Sequence, residues 1–512
     1  MIHLHGTYMS KIDFLDSKFH ALVEASARLA KKDFTLWGSA AEDEAKVRLN
    51  WVDLPETSRD LLPELDALAA RFRSHTHVIL CGMGGSSLAP EVIAGAFGKK
   101  IFILDSTDPQ YISAALDCDL STTVVVVSSK SGSTIETASQ RTLFTQAFIN
   151  ANLNPADHMV IVTDPDSPLD RDARSQGFTV VNADSNVGGR FSALTAFGLV
   201  PAALMGVDVS LLLDSASDAV ATFQGPTSPA VAAAYLLSYH ADQYLSFDDS
   251  SSQFPGISDW IEQLIAESTG KDFVGRLPVV IESDSAPVAG KHFSIAFSGN
   301  RDLVVEAQLG AHFIFWEWVT ALIGFAIGVD PFSQPNVTEA KNQTSTLLAQ
   351  WSGQLPTFTP TATDGAVEIF ANAQSIEETL TQLIDAVSAD GYLAIMIYAD
   401  RLADRELGQL RAVLASKSER PVTLGWGPRF LHSTGQFHKG GQQNGVFLQI
   451  TAESENDLEI PGTELTFQTL IMAQALGDAQ ALSSRDFTVA RLHMRDRSEG
   501  AAQILKAARA II

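Results

Sequence analysis

Residues 124–137 read VVVVSSKSGSTIET, and few architectures accommodate such a run. Four consecutive valines, preceded by Thr122 and Thr123, show no alternation of apolar and polar positions. That is the pattern of a central parallel strand covered on both faces. The strand then stops abruptly at Ser128, Ser129, Lys130, Ser131, Gly132, Ser133 and Thr134, and Glu136 stands in the first turn of the helix predicted to follow. Such a turn offers hydroxyl donors, free amides and the positive end of a helix dipole, so it suits an anion and, among anions, a phosphate. A turn that only capped a helix would need a single hydroxyl, whereas Ser128, Ser129, Ser131, Ser133 and Thr134 are all present.

The rest of the composition says where that anion has to be held. With 35 basic against 60 acidic residues the chain carries a formal charge of −25, which argues against a nucleic-acid surface. An anionic ligand must therefore be gripped locally, by a few cations and amides in one pocket. A length of 512 residues implies at least two domains. The two cysteines, Cys81 and Cys118, have no metal-ligand spacing and fit a reducing cytoplasm. Residues 1–10 lack a basic region followed by an apolar run, so no secretion signal is expected. Residues 313–329 are strongly apolar, but Glu317 interrupts them and Asp330-Pro331 ends them, so they read as a buried core helix and not a membrane span.

Taken in order, residues 11–36 and 40–70 show helical spacing with many charges and are expected to pack outside the first core. Residues 75–85, HTHVILCGMGG, read as a strand running into a glycine-rich turn, with Gly82, Gly84 and Gly85 permitting close backbone approach. Strands at 101–105, 124–127, 159–164 and 179–181 alternate with helices, which predicts a parallel sheet with ligand at the carboxyl ends of its strands. Arg190 follows Gly188-Gly189 at a kink entering an apolar helix. Residues 230–244 read as a helix and 248–252 as a polar loop. In 260–271, WIEQLIAESTGK, Gln263 and Glu267 share one helical face by their i, i+4 spacing; from spacing alone Glu267 is a surface carboxylate. Strand candidates at 277–281, 303–306, 391–398, 422–426 and 446–450 look like a rough duplication of the first layer. Residues 350–364 read as a linker.

Together, SSKSGSTIET, GMGGSSLAPE, NVGGRFS, QLIAESTGK, PFSQPNVTEAK and LHSTGQFHKGG resemble the motifs of the glucose-6-phosphate isomerase family, built on sugar isomerase (SIS) domains. The likeness is strongest to the isomerase half of bifunctional transaldolase/glucose-6-phosphate isomerase proteins. The resemblance implies an α/β chain of two SIS-type parallel-sheet sandwich domains with flanking helices: a helical segment at 1–70, a phosphate-binding domain at 71–221, and a second domain at 222–512 with a lysine-bearing arm near 331–350 and a linker at 351–364.

It also implies a function. The chain would interconvert glucose 6-phosphate and fructose 6-phosphate through a cis-enediol, in glycolysis and gluconeogenesis, without metal or cofactor. Glu267 would move the proton between C2 and C1, beside Gln263, and Arg190 would steady the enediolate oxygen. Ser129, Ser131 and Thr134 would hold the phosphate, with Lys130 and Ser133 close by. Gly85 and Ser86 would contact the sugar. Lys341, seven residues after Gln334, would open the ring together with His432. Family members carry the histidine motif between the glutamate and the lysine, whereas LHSTGQ here follows Lys341; His312 occupies the expected interval but lacks the motif and reads as a core histidine, and His438 is a third candidate. The partner implied is a small sugar phosphate, with no nucleic acid and no membrane, and a homodimer in which the histidine crosses between subunits, in the cytoplasm. Use of mannose 6-phosphate as well, or a non-catalytic sugar-phosphate-binding regulator of SIS type, are the alternatives.

Overall fold

A computed structural model of the chain describes residues 1–283 and 286–511. The first sheet contains the strands Phe102–Leu104, His77–Gly82, Thr123–Ser128, Met159–Thr163 and Thr179–Asn182, side by side in that order and all parallel. These are the five strands expected from the sequence. Val124 and Val126 enter one apolar core while Val125 and Val127 enter another, so alternate side chains of the valine run are buried on opposite faces. An unbroken apolar run is the sequence consequence. Every crossover is a helix, and both the glycine-rich turn and the serine-rich turn leave the sheet at strand carboxyl ends.

The later strands, expected to repeat this layer, are distributed over two further sheets. One joins Leu303–Glu306, Phe293–Ala296, Tyr244–Asp248 and Leu277–Ile281 in parallel, with His3–His5 antiparallel on its edge. The other runs Ala362–Asp364, Val367–Phe370, Thr488–Met494, Gly445–Ala452, Tyr392–Tyr398 and Val422–Trp426, parallel except at the first two pairings. The α/β class holds throughout.

Two local expectations change. The helix assigned to 230–244 is Pro229–Tyr239, and Tyr244 opens a fully buried strand, Tyr244–Asp248, that the sequence did not suggest; the polar stretch expected at 248–252 follows it as the turn Asp249–Ser251. The amino-terminal helices Ser17–Leu29 and Leu62–Arg71 do not lie outside the core: Phe19 and Leu22 of the one and Leu65 and Leu68 of the other are buried in the largest apolar cluster, together with Leu80 of the first sheet and Phe247 of the second. Their charges occupy only the outward stripe. The apolar segment forms Leu309–Ile327, long and apolar enough to cross a membrane, but it is buried among these neighbours.

Candidate active site

The site is assembled around the helix Ile257–Thr269. Its i, i+4 pair is buried: Gln263 Nε2 donates to Glu267 Oε2 at 3.1 Å and to the backbone carbonyl of His432 at 2.7 Å. Glu267 Oε1 lies 2.9 Å from Arg190 Nη1. The structure thus moves Glu267 from the surface, where spacing alone leaves it, into a buried ion pair with only a twenty-fifth of its surface exposed.

Arg190 does not enter a helix directly. It sits in the short turn Gly189–Phe191, and the following helix starts at Ala196. Its guanidinium is encircled: Nε donates to Ser268 Oγ, Nη1 to Gln334 Oε1, and Nη2 to the carbonyls of Pro331, Phe332 and Ser333, all between 2.9 and 3.0 Å. With Glu267 added, every one of the five N–H groups has a protein acceptor. A substrate oxygen reaches this arginine only by displacing one of them, and Gln334 is the exposed, exchangeable one. The same 330–334 turn is held from beneath by Lys271, whose buried ammonium donates to the Asp330 carbonyl. Burial, reinforced by the charge of Arg190, pulls the pKa of Lys271 down to about 7.

The glycine-rich turn closes against this constellation. A Cβ on Gly85 would meet the Gly189 carbonyl oxygen at 1.9 Å, and one on Gly84 would meet Gln263 Nε2 at 2.8 Å and the His432 carbonyl at 2.9 Å. Gly84 has φ +55, so glycine is required there for conformation as well as for space. Ser86 follows in the same turn and is half-buried.

A neighbouring cavity of about 160 Å³ is lined by Ser133, Thr134, Glu136, Lys341, His432 and Gln474, among others. Here lies a residue that sequence reasoning passed over. Glu136, read as a first-turn acid for its helix Ile135–Asn150, is buried and accepts from His432 Nε2 at 3.0 Å and from Gln474 Nε2 at 2.8 Å. Burial alone would raise its pKa, but His432 and then Lys341 hold it below the usual carboxylate value. The signal available in the sequence was its position, two residues past the last hydroxyl of the loop. His432 meets Glu136 within this one chain.

The loop itself is only partly turned toward the cavity. Ser129 Oγ accepts from the Gly132 amide at 3.1 Å, and the hydroxyls of Ser131 and Ser133 lie 2.7 Å apart. Lys130 points elsewhere: its ammonium pairs with Asp164 at 2.7 Å and donates to the Ser185 carbonyl. Thr134 precedes the helix without capping it by its side chain, which leaves its hydroxyl available. Of the three histidines weighed, His312 is buried in the Leu309–Ile327 helix and burial lowers its pKa to about 3. His438 is likewise buried, with Nδ1 2.9 Å from the Tyr392 hydroxyl. Gln436, from the His432 motif, ties the carbonyl of Gly270 to Asn336, joining the end of the Glu267 helix to the start of the Lys341 helix, Val337–Trp351. Among the described residues, no group of three or more His, Cys, Asp or Glu side chains is placed to hold a metal ion.

Residues 67–290 match the family model for phosphoglucose isomerase. A probable glucose-6-phosphate isomerase of Haloquadratum walsbyi is 33% identical over 238 residues, 44% of this chain and 55% of that protein. A glucose-6-phosphate isomerase of Thermus thermophilus is 33% identical over 256 residues, 47% of this chain and 60% of its own length. The chain therefore spans a little over half the length of these relatives. Among solved structures, a glucose-6-phosphate isomerase from Chlamydia trachomatis superposes with a TM-score of 0.55 over 69% of this chain and 89% of the other, at 19% identity, a likeness of fold. The likeness to the phosphoglucose isomerase family thus lies in residues 67–290.

Proposed function

We propose that the chain is an aldose–ketose isomerase that interconverts glucose 6-phosphate and fructose 6-phosphate through a cis-enediol. The observation that carries this reading is the unbroken series Arg190, Glu267, Gln263, His432, Glu136, which runs from a buried carboxylate to the cavity beside the hydroxyl loop. One six-carbon molecule would lie along it, its phosphate toward Ser133 and Thr134 and its C1–C2 end toward Glu267. Ser129 and Ser131 shape the loop, and Lys341 adds a positive charge on the far wall.

In this reading Glu267 abstracts the proton at C2 and returns it to C1. A carboxylate walled off from water by the Gly84–Ser86 turn is suited to that transfer, because its basicity is not spent on solvent. As negative charge grows on the substrate oxygen, Gln334 gives way and Arg190 Nη1 takes up that oxygen, so the guanidinium serves the developing charge without moving. His432, kept in orientation by Glu136, exchanges the ring-oxygen proton.

Conversion of fructose 6-phosphate to glucose 6-phosphate, followed by coupled oxidation of the product, tests the reading. Glu267→Gln is expected to lower kcat by roughly a hundred-fold to ten-thousand-fold with little change in KM. A variant turning over as the unaltered chain does would remove Glu267 from the chemistry. Running the same assay with mannose 6-phosphate decides how narrowly the C2 configuration is read. Binding of sugar phosphate with no turnover would instead make the protein a sugar-phosphate sensor.

A further inference from the structure

His432 lies in a part of the chain remote in sequence from Glu136, and something must fix the two against each other. His432 closes the turn Arg429–His432, which leaves the strand Val422–Trp426 of the third sheet. Glu136 belongs to the first sheet's layer. One turn before His432, Arg429 Nη1 lies 2.9 Å from Glu91 Oε2 and 3.2 Å from Asp105 Oδ2. Arg401, which leaves the adjacent strand Tyr392–Tyr398, places Nη1 2.8 Å from Glu91 Oε1 and Nε 3.5 Å from Asp105 Oδ1. Glu91 sits in the helix Leu88–Ala96 and Asp105 directly after the strand Phe102–Leu104, both in the first layer. Two arginines of one layer thus clasp two acids of the other, with Asp105 almost wholly buried.

We infer that this four-residue clasp is a positioning device, in which Arg429 acts through the Arg429–His432 turn to set the imidazole of His432 on Glu136. The inference rests on the functional reading above for its meaning in turnover, though its geometry can be tested separately. Burying four charges contributes little net stability, because desolvation offsets their attraction. What such a network does supply is registry: each oxygen of Glu91 takes a different guanidinium, so a shift of the turn breaks a short, directional contact. The turn is only four residues long, one helical turn separates Arg429 from His432, and Gln263 holds the His432 carbonyl from the other side. The chain's unusual motif order, with the histidine after the lysine, gives the clasp its purpose: the histidine arrives from the last sheet and has to be docked onto the first.

A second ion cluster bridges the same two layers away from the turn, Arg497 to Asp108 at 2.6 Å and to Asp404 at 3.1 Å, and serves as the control. In the full chain, Arg429→Met is expected to lower kcat at least about tenfold while KM stays within about threefold, and Arg429→Lys to recover part of the loss. Glu91→Gln added to Arg429→Met should cost no more than about a further twofold, since both act through one contact. Arg497→Met should lower the melting temperature and leave kcat within about twofold. Independently of turnover, the ring nitrogen resonances of His432, in protein labelled at histidine, should move in Arg429→Met and stay in place in Arg497→Met. Unmoved resonances in Arg429→Met, or equal loss of kcat in the two arginine variants, would overturn the clasp. Failure of the unaltered chain to isomerise the sugar phosphates would overturn the functional reading instead, and the resonances would still decide the clasp.

Discussion

Glu136 and Arg190 show how a residue's role depends on partners that its sequence neighbours do not reveal. Glu136 is placed as any acid in a first helical turn would be, and the dipole explains it adequately until Gln474 and His432, more than 290 residues away, are found on its Oε1. Its charge, and not only its shape, orients the imidazole, because a carboxylate strengthens the hydrogen bond it accepts. Glu136→Gln should therefore reduce kcat about tenfold to a hundredfold with the fold intact, measured in the coupled assay with a circular dichroism control. Undiminished kcat would make the pairing structural only. Arg190, by contrast, stood out as a candidate from the Gly-Gly-Arg kink, but its six acceptors did not, since four of them come from the turn at 331–334.

At the scale of elements, the first sheet was readable because each of its strands is buried on both faces and so appears as an apolar run. Tyr244–Asp248 escaped because a helix and a strand meet there with only four residues between them, and YLSFD continues the apolar texture of the helix before it. Strand runs also carry no mark of which sheet they join, so the split between the second and third sheets had to come from the structure. The close approach of turns was partly visible in the glycines. Gly85→Ala would drive the Gly84–Ser86 turn off the Gly189 carbonyl, costing about 1–3 kcal/mol and much of kcat, to be read as a lowered melting temperature together with lost turnover. The long apolar helix makes a different prediction. Glu317 is fully buried in it with neither carboxyl oxygen hydrogen-bonded, and burial raises its pKa well above 4.5. The folded form keeps the proton that the unfolded chain releases near pH 4.5, so the stability associated with this group is intact below that pH and falls as pH rises toward the folded value, by up to about 1.4 kcal/mol per unit. Glu317→Gln removes that slope: its melting temperature relative to the unaltered protein should climb between about pH 5 and pH 8, and a constant difference across that range would show that the carboxyl is not held neutral.

For the whole molecule, the decisive property is that one chain supplies every group in the series. Glu267 comes from the helix beside the second sheet, Arg190 and Glu136 from the first layer, and His432 from the third, and all of them meet within a single copy. An enzyme whose histidine crossed between subunits would behave differently under mixing. Chains carrying Glu267→Gln and chains carrying His432→Ala, unfolded together and refolded in equal amounts, would form some mixed dimers in which one site was intact, and about a quarter of the activity would return if half the dimers are mixed. With every group drawn from one chain, neither partner can repair the other, and activity should remain at the sum of the two inactive variants. Restored turnover would mean that in the working assembly the Arg429–His432 turn is exchanged between copies, as a swapped element, and that the contacts seen here within one chain form between two.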